Sequence, residues 1–96
     1  MAPTGSASPP RFVDHLVSRE HRFSLGIDTR TGRPYVSIPV SNQRVDYEEY
    51  YAIDRATFDR FMADPGAALA FAERCRRREE DARLLHQPGT DRGTAL

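Results

Sequence analysis

The 96-residue chain has no lysine, no tryptophan and only one cysteine. A single cysteine, Cys75, excludes an intramolecular disulfide framework and cannot complete a Cys/His zinc site. No run of residues is long and apolar enough for a membrane span, and no signal-peptide core is visible, so a reducing cytoplasm is the expected setting and no membrane partner is implied. Net charge of one sign is also missing. The 14 basic residues, all arginine, balance 14 acidic ones, which argues against a general binder of nucleic acid or membrane surfaces. There is no G-x-S-x-G elbow and no phosphate-cradling glycine loop. No catalytic residue is assigned and no cofactor is implied, so the domain reads as non-enzymatic.

What is present suits one small domain. A chain of this length buries roughly 60 to 65 per cent of its unfolded surface, a modest margin that makes a homodimer attractive as a source of further buried area. Residues 1–10 (MAPTGSASPP) and 87–96 (QPGTDRGTAL) carry turn and polar residues without apolar periodicity and read as disordered tails, which leaves 11–86 for the core.

Along that core, Phe12, Val13, Leu16 and Val17 have an i, i+4 spacing that favours a short helix, although their β-branched content keeps a strand open. Phe23, Leu25 and Ile27 alternate with Ser24 and Gly26 as in a half-buried strand. In DTRTGRP, Asp28 opens a turn and Gly32 takes a left-handed conformation, so Val36, Ile38 and Val40 form the return strand of a hairpin. Pro39 places an edge or a bulge there. After the turn signal SNQR, a third strand runs from Val45 to Ile53. Asp54 then caps a helix, with Ile53 and Phe58 as a hydrophobic staple. Asp64-Pro65 restarts a second helix as cap and first position. Its stripe of Ala68, Phe71, Ala72 and Cys75 continues to about residue 80. The expected fold is α+β: a three-stranded antiparallel meander with two C-terminal helices packed on one face.

Most polar clusters have ordinary explanations. His15, His21 and His86 form no zinc-type pair, so no metal site is expected. Cys75 sits on an apolar stripe and suits a small buried hydrophobe. Arg74, Arg76, Arg77 and Arg78 spread around a helix between Glu73 and Glu79-Glu80-Asp81, which cancel much of their field and make nucleic acid a poor partner. The third strand is different. Asp46, Glu48 and Glu49 have no capping role and interleave with Tyr47, Tyr50 and Tyr51. Tyrosine beside acid suits recognition, because tyrosine offers large contact area at low entropic cost and carboxylates hold a cationic partner. The candidate binding residues are therefore Asp46, Tyr47, Glu48, Glu49 and Tyr50. Period two puts Asp46, Glu48 and Tyr50 outward, and Tyr47, Glu49 and Tyr51 under the helices. The alternative is a small-molecule or enzymatic pocket between sheet and helices.

The pattern IPVSN…VDYEEYY followed by DPGAALAFAERCRRRE resembles that of a group of small bacterial proteins of similar length, over about Phe23 to Leu85. Small acidic-strand proteins of this kind resemble immunity proteins that neutralise a partner toxin. The resemblance implies the same α+β outline and a protein-binding role, and it carries over no active-site residue; the cationic protein partner is what the acidic strand itself suggests.

Overall fold

Strict alternation of large apolar and small or polar side chains needs a sheet with one face under cover, and the chain builds one. The computed structural model describes residues 10–89 and 92–96. Strands β1 (Phe12–Ser18), β2 (Phe23–Asp28), β3 (Arg33–Ser41) and β4 (Asp46–Ala52) form an antiparallel meander in the order β1-β2-β3-β4. Helices α1 (Arg55–Ala63) and α2 (Leu69–Arg76) follow, and a short strand β5 (Thr94–Ala95) pairs with β3. The α+β class and the antiparallel sheet are as expected, but the sheet has five strands rather than three.

The first difference is at the N-terminal end. Residues 12–18 are a strand with a register break between Asp14 and Leu16. The bulge explains the misleading helical spacing, since one extra residue shifts the apolar positions out of period two. The second difference is β5. Val40 pairs with Ala95 and Ser41 with Thr94, along a stretch of β3 beyond its last β2 partner, Ser37. The expected tail over 87–96 thus includes residues held in the sheet, whereas residues 1–9 of the expected N-terminal tail lie outside the described residues.

The turns follow their side chains. Asp28 accepts from the backbone N–H of Arg30 and the hydroxyl of Thr31, and Gly32 adopts φ 74°. At the next turn, Asn42 Oδ1 accepts from the N–H groups of Arg44 and Val45. Asp54 caps α1 by accepting from Thr57 N–H at 2.8 Å. Asp64 makes no side-chain cap bond, and Pro65–Ala68 form a 3₁₀ turn before α2 begins at Leu69. That helix stops at Arg76, not residue 80, and Arg78 turns the chain with φ 63°.

Phe23, Leu25, Val36, Ile38, Val40 and Tyr51 cover one sheet face and meet Phe58, Phe61, Phe71, Ala72 and Cys75 from the helices. Burying a large apolar side chain contributes about 1.5–3 kcal/mol, so this layer holds the helices on the sheet. The space between sheet and helices is filled by apolar side chains. Arg76 fastens α2 to the β1–β2 turn through the carbonyls of His21 and Arg22. No helix among the described residues is long and apolar enough to cross a membrane.

Candidate functional site

No helix among the described residues covers the second sheet face. Register puts Asp14 of β1 beside Gly26, Gly26 beside Tyr35, Ser24 beside Ser37, Ser37 beside Tyr50, Pro39 beside Glu48 and Ser41 beside Asp46. Since side chains alternate along each strand, Asp14, Ser24, Tyr35, Ser37, Asp46, Glu48 and Tyr50 share this outer face.

At one end of the face, aromatic rings replace the missing layer. Phe12 and Tyr50 stack with centroids 3.7 Å apart and planes 8° apart. Tyr35 meets both edge-on, at 5.5 Å and 4.9 Å, and is fully buried beneath them. His86 meets Phe12 at 5.6 Å, and its Nε2 accepts from the Arg11 guanidinium at 3.1 Å. Arg11 also grips Asp28 through two N–H donors, each at 3.0 Å. That guanidinium, helped by the turn N–H of Arg30, holds the Asp28 carboxyl down at about 2 against the opposing effect of burial. The Asp28 side chain is fully covered near the molecular periphery, held by Arg11, the Arg30 N–H and the Thr31 hydroxyl.

The carboxylates lie beyond the rings. Tyr35 donates to Asp14 Oδ1 at 2.6 Å, and burial followed by this carboxylate raises the Tyr35 phenol well above its ordinary range. Desolvation raises the Glu48 carboxyl, and Asp14 pushes in the same direction, while the nearby Ser37 hydroxyl favours the charged form. Burial, then Glu48 and Asp14, push the Tyr50 phenol up to about 12. Asp14, Tyr35, Glu48 and Tyr50 are thus one electrostatic cluster, not four separate surface groups. Asp14, Asp46 and Glu48 make no ion pair among the described residues, whereas Asp28, Glu49, Asp59, Glu73, Glu79, Glu80 and Asp81 do.

The expected binding residues therefore divide by face. Asp46 and Glu48 are exposed on the outer face, and Tyr50 is half-buried there against Phe12. Tyr47 points to the helix side, where its hydroxyl accepts from Gly93 N–H at 2.7 Å. Glu49 is 7 % exposed and internal. Its oxygens accept from Arg92 at 2.8 and 3.1 Å and from the Tyr51 hydroxyl at 2.7 Å. Arg92 bridges onward to Asp81 at 2.7 Å, so Glu49 and Tyr47 anchor the C-terminal segment.

Sequence reasoning missed Asp14, Tyr35 and Ser37. Asp14 was hidden by the helical reading of its strand. Gly26 was the available signal, because an isolated glycine in a strand marks a close approach. A Cβ there would lie 2.2 Å from the Val13 carbonyl oxygen and 2.4 Å from the Tyr35 hydroxyl.

The other candidate chemistry is accounted for structurally. Burial pushes the Cys75 thiol up to about 12, far from the thiolate a nucleophile needs. No group of three or more His, Cys, Asp or Glu side chains among the described residues is placed to hold a metal ion. Arg74, Arg76, Arg77 and Arg78 contact Glu80, Glu73, Glu79 and the Gly93 carbonyl respectively. Comparison of the chain with protein-family models, curated proteins and solved structures gives no match.

Proposed function

We propose that this is a non-enzymatic protein-interaction domain that binds a cationic partner on the outer sheet face. The observation that carries this reading is the set of carboxylates Asp14, Asp46 and Glu48, which make no ion pair among the described residues, on a face that no described helix covers. Arg55, Arg74, Arg76, Arg77, Arg83 and Arg92 sit against acids, whereas these three carboxylates make no ion pair among the described residues. Such a patch steers and holds a basic surface, while Tyr50 and Phe12 supply apolar contact area beside it. The resemblance to immunity proteins fits a role of this kind.

A short oligo-arginine peptide at low ionic strength tests the reading. Asp46→Ala with Glu48→Ala should weaken its binding by roughly tenfold and flatten the salt dependence. The control, Asp59→Ala with Glu79→Ala, changes net charge equally but removes exposed acids from the helical side. Equal loss in both variants, or no binding by wild type, would refute the acidic face. Melting temperatures should be nearly unchanged in both, since exposed charges contribute little to folding.

A further inference from the structure

We infer that the free edge of β4, from Asp46 to Tyr50, receives an extended segment of the cationic partner as an added strand, one that alternates basic and apolar residues. The inference rests on the reading of the outer face as the partner-binding surface and specifies how the partner is held beside it.

The backbone decides which groups are available. β4 ends the meander, so one of its sides pairs with β3 and the other is an edge. The Tyr50 carbonyl accepts from Leu85 N–H at 2.9 Å and therefore points away from β3. The pairing of β4 with β3 has no register break, and backbone direction alternates along an antiparallel strand. The N–H and C=O groups of Glu48 and Asp46 thus point off the sheet as well. No described residue hydrogen-bonds to these four groups.

The chain itself begins to occupy this edge and then leaves it. Leu84 bridges antiparallel to Tyr51, but no pairing follows beyond Leu85. Between the departing segment and β4 lies a cavity of about 480 Å³. Tyr47 comes to it from the helix side of β4, and Glu48 and Tyr50 come from the outer side, so the cavity follows the edge and not either face. His86, Pro88 and Arg92 line it opposite the strand.

Charge selects the occupant. Residues directly opposite one another on paired strands share a face. The two positions opposite Glu48 and Asp46 lie over the outer face, each against a carboxylate that makes no ion pair among the described residues, and basic side chains fit both. The residue between them turns to the other face, beside the Tyr47 ring and Pro88, where an apolar side chain fits. A second copy of this chain is a poor occupant. Two β4 edges paired antiparallel would set Asp46 and Glu48 against the same acids, and like charges directly opposite are destabilising. A small cation would leave the four backbone groups unmet, whereas an extended peptide meets them and the carboxylates together.

The experiment titrates isotope-labelled protein with a short acetylated and amidated peptide that alternates arginine with valine. Two isomers of equal charge carry methyl groups on backbone nitrogens, one at the arginines and the other at the valines. In the inferred register the arginine N–H groups face β4 and the valine N–H groups face away. Methylation at the arginines should therefore weaken binding by about tenfold or more, and methylation at the valines by less than about twofold. Amide hydrogen exchange at Asp46 and Glu48 should slow by about tenfold in the complex with the parent peptide. Exchange at Tyr47 and Glu49, whose N–H groups already meet β3, should not change. Equal binding of the two isomers, a greater loss for the valine-methylated one, or unaltered exchange at Asp46 and Glu48 would overturn the added strand. If the isomers bind alike while Asp46→Ala with Glu48→Ala still weakens the parent peptide, the acidic face stands and only the strand addition falls. If the parent peptide ignores those acids, the face itself is refuted and the inference with it.

Discussion

The Tyr35 hydroxyl reaches Asp14 Oδ1, 2.6 Å away, by lying across the backbone of Gly26. The relation joins three strands. β1 supplies the acceptor, β2 the gap and β3 the ring, so the central strand is held to the sheet edge by a side chain as well as by the ladder. Gly26→Ala should destabilise the domain by about 3 kcal/mol, at the upper end of overpacking costs, because the Val13 carbonyl in its way belongs to the backbone and cannot give. Tyr35→Phe keeps the ring and should cost only about 1 kcal/mol for the lost hydrogen bond. Urea unfolding of both variants measures the difference. Equal effects would mean that the phenol, not the glycine, sets the packing.

Glu49 and Arg92 offer a second contrast. Removing one member of a buried pair leaves the other charge uncompensated, at a cost of about 3–5 kcal/mol in fully buried cases. Arg92 is partly accessible and Tyr51 still donates to Glu49. Arg92→Ala should therefore cost about 2–3 kcal/mol, below that range. Glu49→Gln should cost less, since a neutral amide carries a smaller desolvation penalty. Denaturant midpoints for the single variants and the double variant separate the coupling from the individual effects. A change below about 0.5 kcal/mol for Arg92→Ala would reduce the bridge to an ordinary surface pair.

Much of this architecture was legible in the residues, for identifiable reasons. The capped start of α1, the Gly32 turn, the inward Tyr51 and the outward Asp46 and Glu48 each follow from local chemistry or strict period two. What escaped depends on contacts distant in sequence. The bulge in β1 shifts its apolar positions and mimics a helical spacing. β5 is too short to show periodicity, and it is held by Arg92 reaching Glu49 and by Gly93 meeting Tyr47. The aromatic roof of Phe12, Tyr35 and Tyr50 assembles from three strands, so nothing in one segment announces it.

The homodimer remains a proposal, and β1 supplies its most direct route. Its outer edge has no strand partner among the described residues, and Val17 on it is 56 % exposed. Unpaired backbone groups with an exposed β-branched residue favour edge-to-edge pairing, here within a closed two-fold dimer. Light scattering at micromolar concentration should give twice the chain mass, and Val17→Arg should return it to the monomer. A monomer mass for wild type across the range would remove the idea.

Asp28 should set part of the acid limb of stability. Its carboxyl sits at about 2 in the folded protein against an ordinary 3.8, chiefly because Arg11 donates to it. On acidification the unfolded chain therefore takes up this proton first, and folding loses stability as it does. The contribution is fully present above about pH 5 and disappears as pH falls toward 2. Its size is on the order of 1–2 kcal/mol, because the group lies at the periphery, where solvent screens the pair. Asp81 and Glu80 are also held low by arginines, Arg92 and Arg74 respectively, and shape the same limb. Asp28→Asn should accordingly lower stability at neutral pH and make the loss between about pH 4 and pH 2 shallower without abolishing it. Urea midpoints measured at several pH values decide the matter. If wild type and variant lose stability in parallel on acidification, the Arg11–Asp28 pair is not a source of the pH dependence.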